Sequence, residues 1–395
     1  AFRAHLPRLS AMGVDILWLM PVHPIGIENR KGSLGSYYSI RDYKGVNEEY
    51  GSLEDLRELV DEAHALGMKV ILDWVANHSS WDNVWVAGHP DFYERDGAGQ
   101  FISPYDWTDV ISFDYSNPEM RDSMISALKY WLRYADVDGY RCDVAGMVPT
   151  DFWEAARVEM EKVKPVFMLA EDEDATDLMV SAFDMNYAWK GHHHFNKMAK
   201  GEETAADMRA YLEWDRKQFP PRVYRMNFLT NHDENSWNGT IAERLGEASG
   251  VFAVLAWTLP DMPLIYSGEE AGLNKRLRFF DKDTISWESL ELMEFYKQLA
   301  ALRTDNPALH GSVYGGEVAF IGDTLQEHIL AFTRSRDDNS VACILNLSAE
   351  ARSFDLAGSG LEGSFTDHFS GQQVEIASLG PVELAPWSYL VLVKK

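Results

Sequence analysis

The sequence predicts an α/β protein of the TIM class, a (β/α)₈ barrel with a small inserted lobe and a C-terminal antiparallel β-sandwich. Short β-rich runs alternate with amphipathic segments over roughly 250 residues, the order expected of parallel βαβ units. Residues 79–115 interrupt this alternation with Trp, Gly and Pro. From about residue 311 onward, short alternating strands are separated by turn residues, which is typical of a sandwich.

The barrel region contains seven predicted strands and, after residue 50, six predicted helices. The strands are predicted at residues 15–20, 69–75, 139–143, 166–171, 183–188, 224–230 and 263–270, and the helices at 53–67, 118–135, 150–163, 204–218, near 288–305 and in an Ala-rich segment ending near Trp257. In the first helix apolar residues recur at helical spacing, and Gly67 follows as a stop signal; these residues are Leu53, Leu56, Leu59, Val60 and Ala63. The predicted domains are the barrel (1–78 and 116–310), the lobe (79–115) and the sandwich (311–395).

The predicted strand count is one short of a complete barrel. The chain starts with AFRAHLPRLSAMG, which has the pattern of the helix that follows a first strand. We therefore expect the first strand, and any export signal, to lie upstream, and the sequence indicates no compartment. A barrel that lacked this strand would have an open edge, which a second copy could cover in an oligomer.

Composition excludes several classes of partner. The 36 basic and 62 acidic residues give a formal charge of −26, which disfavours binding to nucleic acid and to anionic membrane surfaces. No apolar run approaches the roughly 20 residues of a membrane helix. Cys142 and Cys343 are far apart and belong to no zinc pattern, so we expect buried free thiols.

Four short segments each end a predicted strand with charged or imidazole groups. They are DWVANH (73–78), GYRCDVA (139–145), FMLAE (167–171) and FLTNHDE (228–234). A single Asp after a hydrophobic run is most often a turn or a helix cap. The ordered set instead predicts one active site at the carboxyl ends of the barrel strands.

Two of these segments provide a pair of carboxylates with different surroundings. Arg141 and Asp143 are two residues apart and share one strand face, where the guanidinium favours an ionised Asp143, as a nucleophile requires. A structural ion pair is the alternative. Glu171 closes an apolar strand, which raises a carboxyl pKa and suits a general acid. Residues 172–174 fit a solvated charge run better. Such a pair is typical of glycoside hydrolysis.

The other two segments add polar groups that suit a sugar substrate. His78 and His232 can donate hydrogen bonds to sugar hydroxyls, and Asp233 can stabilise an oxocarbenium-like centre. A histidine on its own is more often structural. Aromatic side chains in predicted loops are candidate platforms for the apolar faces of sugars; these are Tyr38, Trp81, Trp107, Trp189 and Trp237.

In order and content, the four segments resemble the signature regions of the alpha-amylase family of glycoside hydrolases. The resemblance implies Asp143 as the nucleophile, Glu171 as the acid/base and Asp233 as the transition-state stabiliser. It also implies a set of substrate contacts, namely Tyr38, Asp73, His78, Arg141 and His232. The implied reaction is retaining cleavage of α-1,4-glucosidic bonds in starch-like glucans or maltooligosaccharides.

The resemblance leaves the metal and the substrate range open. Many family members have Lys-His shortly after the nucleophile, where this chain has Gly146 and Met147. Asn77 matches one family calcium ligand, so a structural Ca²⁺ is allowed, but no cofactor is needed for the chemistry. A cyclomaltodextrinase or transglycosylase would use the same groups, and a non-catalytic glycan-binding homologue is the alternative from another class.

Overall fold

The computed structural model describes residues 1–322, 326–378 and 380–395. It contains two compact units. The first comprises residues 1–187 with 278–284, and the second comprises residues 188–277 with 285–395. The domain boundaries proposed from the sequence stay a prediction.

The first unit alternates helices with the strands of a parallel sheet. In chain order its elements are α1 (Leu6–Met12), β1 (Ile16–Leu19), α2 (Leu53–Ala65), β2 (Lys69–Trp74), β3 (His78–Ser80), β4 (Val110–Ser112), α3 (Pro118–Tyr134), β5 (Gly139–Cys142), α4 (Thr150–Glu161), β6 (Phe167–Ala170), α5 (Leu178–Ser181) and β7 (Met185–Tyr187). Strands β1, β2, β5, β6 and β7 pair in that order, all in parallel. Strands β3 and β4 form a separate antiparallel pair within the predicted lobe and its border.

Local sequence explains where the main helices of this unit begin. Ser52 caps α2, and its hydroxyl and backbone N–H form a reciprocal capping box with Asp55. The side chain of Asn117 accepts two backbone N–H groups at the start of α3, and Pro118 occupies the first helical position. Both helices lie within two residues of their predicted bounds, which confirms those predictions.

At Gly139 the backbone of β5 lies very close to the backbone of β6. A Cβ atom added to Gly139 would lie 1.9 Å from the carbonyl oxygen of Phe167. Only glycine therefore permits this approach. The close pairing sets the register of β5 against β6, in which Arg141 lies opposite Leu169 and Cys142 lies opposite Ala170.

The second unit combines helices, a short parallel strand pair and an antiparallel sandwich. Its elements are α6 (Trp189–Ala199), α7 (Ala205–Asp215), β8 (Tyr224–Asn227), a π-helix (Glu234–Asn238), α8 (Ile241–Arg244), α9 (Ser249–Thr258), β9 (Met262–Pro263), α10 (Met293–Thr304), β10 (Ala319–Phe320), β11 (Ile329–Arg336), β12 (Asn339–Asn346), β13 (Arg352–Phe354), β14 (Ser364–Asp367), β15 (Gln373–Glu375), β16 (Val382–Leu384) and β17 (Tyr389–Lys394). Strand β8 pairs with β9 in parallel.

The sandwich consists of two antiparallel sheets that share one apolar core. The larger sheet has the order β10-β11-β12-β17-β14-β15, and β13 pairs with β16 in the smaller one. Phe354 and Leu384 from the small sheet lie in one buried cluster with Ile344 and Phe365 from the large sheet. This face-to-face burial agrees with the predicted β-sandwich.

One predicted strand is wrong over most of its length. The run 263–270 was expected to be extended, but strand β9 is only Met262–Pro263, and Glu269–Ala271 is a 3₁₀ turn. Gly268 has φ +99°, a left-handed conformation that ends an extended chain. The apolar part of the run, residues 264–266, is irregular and half-buried, and the turn is formed by the acidic end of the run.

Two further findings concern the membrane and thiol predictions. Within the part of the chain that the structure describes, no helix has both the length and the apolar character needed to cross a bilayer. Cys142 and Cys343 are buried and unpaired, as predicted.

Candidate active site

The pairing of three neighbouring strands brings three acidic residues to one edge of the first unit's sheet. Asp73 on β2 lies opposite Arg141 on β5. Directly after β5, the N–H of Asp143 donates to the Trp74 carbonyl at 2.9 Å, and the N–H of Glu171 donates to the Cys142 carbonyl at 3.0 Å. Because parallel strands share their carboxyl ends, all of these side chains start from the same edge.

The guanidinium of Arg141 contacts all three carboxylates. Its Nη1 is 3.0 Å from Asp73 Oδ1 and 3.0 Å from Asp143 Oδ1. Its Nη2 is 2.8 Å from Glu171 Oε1, as an ion pair rather than an aligned hydrogen bond. Arg141 is 0% exposed. One buried positive charge cannot offset three buried negative charges, so the cluster favours retention of a proton.

Glu171 is the carboxyl group that is expected to hold this proton. Burial raises the pKa of Glu171 to about 7, although the charge of Arg141 opposes this, and the nearby Asp143 carboxylate raises it further. Burial also raises the pKa of Asp73, again against the opposing charge of Arg141. The rise for Glu171 agrees with the direction expected from its apolar strand. A protonated Glu171 at neutral pH has the state that a general acid needs.

The spacing of Asp143 and Glu171 bears on the type of reaction. Both carboxyl groups contact the same guanidinium, since Asp143 Oδ1 lies 3.0 Å from Nη1 of Arg141 and Glu171 Oε1 lies 2.8 Å from Nη2. Inverting glycosidases need about 6.5–9.5 Å between the two carboxyl groups to admit a water, whereas retaining enzymes have about 5–5.5 Å. Two carboxyl groups held by one guanidinium fit the shorter, retaining spacing better than the wider, inverting one.

Strained backbone holds the Glu171 carboxyl in place. Val144 has φ +38°, a left-handed conformation that β-branched residues rarely adopt. In this conformation its N–H donates to Glu171 Oε2 at 3.0 Å. Strain of this kind costs about 1–3 kcal/mol and is retained where the surroundings impose it, often at functional sites.

Two members of the network were not found from the sequence. The Tyr187 hydroxyl, at the end of β7, accepts a hydrogen bond from Arg141 Nε at 3.1 Å. Trp18, on β1, donates from Nε1 to Asp73 Oδ2 at 3.1 Å, and the guanidinium carbon of Arg141 lies 5.1 Å from the Trp18 ring centre. Both residues lie on correctly predicted strands. An amphipathic aromatic residue near a strand end was the only available signal.

Tyr38 belongs to this network and is not an open platform. It is 8% exposed, and its hydroxyl donates to Asp73 Oδ2 at 3.1 Å and accepts from Arg141 Nη1 at 3.3 Å. The ring of Phe279 is stacked against Tyr38, with centroids 6.3 Å apart. Phe279 comes from the 278–284 segment, which sequence reasoning did not connect to the site.

His78 lies four residues beyond the end of β2 and is buried. Burial lowers its pKa to about 3, so the ring is neutral. The amide nitrogen of Asn77 lies 3.2 Å from Nδ1 of His78, which leaves the ring proton on Nε2. A neutral N–H donor of this kind suits a sugar hydroxyl. The Trp107 ring contacts the imidazole at a centroid distance of 5.4 Å.

Asn77 is the one residue that the resemblance offered as a calcium ligand. Calcium takes six to eight oxygen ligands, with carboxylates prominent among them. Over residues 1–322, 326–378 and 380–395, no group of three or more His, Cys, Asp or Glu side chains is arranged to hold a metal. Asn77 as a ligand therefore stays a prediction, and no chemical step is derived through a metal.

His232 and Asp233 belong to the second unit, where they contact each other. His232 Nε2 is 3.2 Å from Asp233 Oδ2, and the Asp233 side chain is 34% exposed. Asp233 immediately precedes the π-helix Glu234–Asn238, a rare element often found at functional sites. Burial, with the charge of Asp233, raises the pKa of Tyr266 to about 12. The carboxylate thus lies at a structured turn beyond β8.

The remaining platform candidates lie in different settings. Trp81 donates from Nε1 to the Thr108 carbonyl at 3.0 Å, which ties two parts of the predicted lobe together. Trp189 is the first residue of α6 rather than a loop residue. Trp237 lies in the π-helix and is 54% exposed.

Comparisons with known proteins match the two parts of the chain to two family models. The family model described as the alpha amylase catalytic domain matches residues 3–110 and 93–307, and that of the maltogenic amylase C-terminal domain matches residues 323–391. A maltogenic alpha-amylase, AmyB, from Thermotoga neapolitana superposes with a TM-score of 0.89 at 32% identity, over 100% of this chain and 93% of that one. For an alpha-amylase from Lactobacillus plantarum the values are 0.88 and 30%, over 99% of this chain and 94% of that one.

A curated relative is considerably longer than this chain. Alpha-amylase MalA of Haloarcula japonica is 26% identical over 386 residues, which cover 94% of this chain but 55% of that protein. The chain thus spans little more than half of that relative. The matches confirm the predicted fold class. Since the catalytic-domain model covers most of the sequence, this chain belongs to the alpha-amylase family of glycoside hydrolases.

Proposed function

We propose that this protein is a retaining glycoside hydrolase that cleaves α-1,4-glucosidic bonds in starch-like glucans or maltooligosaccharides. One observation carries the proposal, namely the close Asp143–Glu171 carboxyl pair around the buried guanidinium of Arg141. Family membership and the amylase names of the relatives support the substrate class.

The two carboxyl groups have separate roles in the first chemical step. Ionised Asp143 attacks the anomeric carbon while protonated Glu171 gives its proton to the departing glycosidic oxygen, so that the C–O bond breaks and a glycosyl-enzyme ester forms. Glu171, now ionised, then takes a proton from a water molecule. The resulting hydroxide displaces Asp143, and the two inversions together retain the α configuration.

The surrounding groups hold these two carboxyls and the sugar. Arg141 stabilises the ionised Asp143 and is itself fixed by Tyr187 and Tyr38. We assign His78 to hydrogen bonding with a ring hydroxyl. Asp73 is 0% exposed, so we assign it to supporting the same subsite through Arg141 and Tyr38 rather than to contacting the sugar. Asp233, next to His232, is assigned to stabilising the oxocarbenium-like transition state.

Other enzymes that use the same catalytic groups differ in the shape of their substrate and in the acceptor of the glycosyl group. A cyclomaltodextrinase would open cyclic substrates, and a transglycosylase would favour a sugar over water in the second step. A non-catalytic glycan-binding homologue is the alternative without chemistry. The presence of all three acids (Asp143, Glu171 and Asp233) favours an active enzyme.

The test compares variants of the acids on defined glucans. Asp143→Asn is expected to abolish hydrolysis of starch, cyclodextrins and maltotriose, whereas the nearby exposed Asp174→Asn should act like the parent. Glu171→Gln is expected to lose about 10²- to 10⁴-fold on starch and to recover with activated aryl glycosides, which need no proton. Proton NMR should show the α-anomer first. Full turnover by Asp143→Asn, or the β-anomer as first product, would refute the proposal.

A further inference from the structure

We propose that the tip of the predicted lobe carries an aromatic binding site for a glucosyl unit beyond the reacting sugar. The site is formed by Tyr105 and Trp107. The identity of the ligand as an α-glucan rests on the proposed function, but the existence of the site rests on separate observations.

The first observation is that the conformation and exposure of Tyr105 do not favour folding. Its side chain is 76% exposed, so the ring gains little from burial. Its φ is +51°, in the left-handed region that bulky residues avoid. Neither feature helps folding, and an Asn or Gly would satisfy the same turn without strain. An unfavourable backbone that presents an exposed ring points to a binding role.

The second observation is a continuous line of ring contacts. The Tyr105 ring meets the Trp107 ring edge-on, with centroids 5.3 Å apart at 63°. The Trp107 ring meets the His78 ring in the same way, at 5.4 Å and 63°. The line therefore runs from the imidazole that we assign to the reacting sugar out to solvent. Flat rings along such a path suit the apolar faces of successive pyranose units.

The third observation is that the lobe tip is fixed before any ligand binds. Lys31 Nζ is 2.9 Å from Asp109 Oδ1, and the Ser39 hydroxyl donates to the Asp109 carbonyl at 3.0 Å. The Trp107 N–H closes a turn on the Pro104 carbonyl at 3.1 Å. Anchoring on both sides of the rings lowers the entropy lost on binding, which makes even a small contact area useful.

The experiment measures binding of maltoheptaose by calorimetry in the Asp143→Asn background, so that the sugar is not consumed. Tyr105→Asn keeps a residue that tolerates positive φ but removes the ring, and Tyr105→Phe keeps the ring. We expect Tyr105→Asn to weaken binding roughly three- to tenfold, the equivalent of a single aromatic contact. Tyr105→Phe should bind like the parent. Thermal unfolding should show that Tyr105→Asn is no less stable.

A matched control uses an exposed tyrosine at the other edge of the sheet. Tyr134 is 55% exposed at the end of α3, just before the amino end of β5, and Tyr134→Ala should leave maltoheptaose binding unchanged. In the active enzyme, Tyr105→Asn should raise KM for maltoheptaose with kcat retained. That split separates loss of a binding contact from general damage to the site.

The outcomes separate this inference from the proposed function. If the parent binds maltoheptaose through Tyr105 but hydrolyses no glucan, the site stands and the proposed function fails. If the parent hydrolyses starch and Tyr105→Asn binds maltoheptaose as tightly as the parent, the site alone is refuted. Equal weakening by Tyr105→Phe and Tyr105→Asn, or no binding by the parent, also overturns it.

Discussion

Replacing Arg141 by lysine should destabilise the protein strongly even though the charge is kept. The guanidinium uses three nitrogen atoms at once: Nε on Tyr187, Nη1 on Asp73 and Asp143, and Nη2 beside Glu171. A lysine ammonium is a single point on a flexible stem and cannot occupy these three positions. The substitution therefore leaves some of the buried partners without their donor.

The expected cost follows from the hydrogen bonds that a lysine side chain cannot form. At least two of the three nitrogen positions become vacant, and each leaves Tyr187 or a carboxylate without its hydrogen bond or ion pair to the charged group, at a cost of about 1.5–3 kcal/mol. The free energy of unfolding should thus fall by about 3–6 kcal/mol. That is a large share of the roughly 5–15 kcal/mol that stabilises a typical native protein.

Urea unfolding followed by tryptophan fluorescence at pH 7 measures this decrease. The matched control is Arg121→Lys, since Arg121 Nη2 pairs with Asp151 Oδ2 at 2.6 Å but Asp151 is 68% exposed. An exposed pair contributes about 0–1 kcal/mol, so this control should unfold almost like the parent. If the two lysine variants unfold within about 1 kcal/mol of each other, the guanidinium does not organise the site as argued.

Three further outcomes are expected. Because the general acid must carry a proton, kcat should fall as pH rises through the Glu171 pKa of about 7, and Glu171→Gln should lack this alkaline limb on an aryl glycoside; a persisting limb contradicts the assignment. Tyr187→Phe leaves the buried Arg141 Nε without its acceptor and should lose about 1–3 kcal/mol in urea unfolding, while Tyr134→Phe should lose none. Burial raises the pKa of Glu269 to about 8. The folded state therefore keeps a proton that the unfolded chain releases near pH 4.5, and this contribution to stability is lost as pH rises from about 4.5 through 8. Glu269→Gln should flatten that decline in melting temperature, and an unchanged slope would show that Glu269 is not its source.

The pattern of residues in the sequence was sufficient to predict most helices and strands and part of the candidate active site. Alternation of strands with capped helices predicted β2, β5 and β6 closely. Strands β2 and β6 contain the continuous apolar runs that are typical of buried parallel strands. Parallel strands also share an edge, so the positions of Asp73, Asp143 and Glu171 at strand ends predicted their convergence. The run 263–270 misled because its apolar residues 264–266 lie in an irregular, half-buried segment, which a short apolar pattern does not distinguish from a strand.

Contacts between distant segments lay beyond sequence reasoning. Phe279 stacks on Tyr38 although 241 residues separate them in the printed sequence, and no periodicity marks either as a partner of the other. The same holds for Trp18 and Tyr187, whose polar tips complete the shell around Arg141. Tyr38 was expected to be an open platform, yet it is buried in that shell.

The sequence by itself determined the fold class, the family and the acids that end the strands. These depend on local preference and on the order of residues along one chain. The apolar strand before Glu171 predicted that its pKa is raised, but only the tertiary structure decided how far, because the shift depends on burial and on the distances to Arg141 and Asp143. It also decided that Tyr105 would stand exposed on a strained, anchored loop. Burial and distance are properties of the packed molecule, and residue order does not contain them.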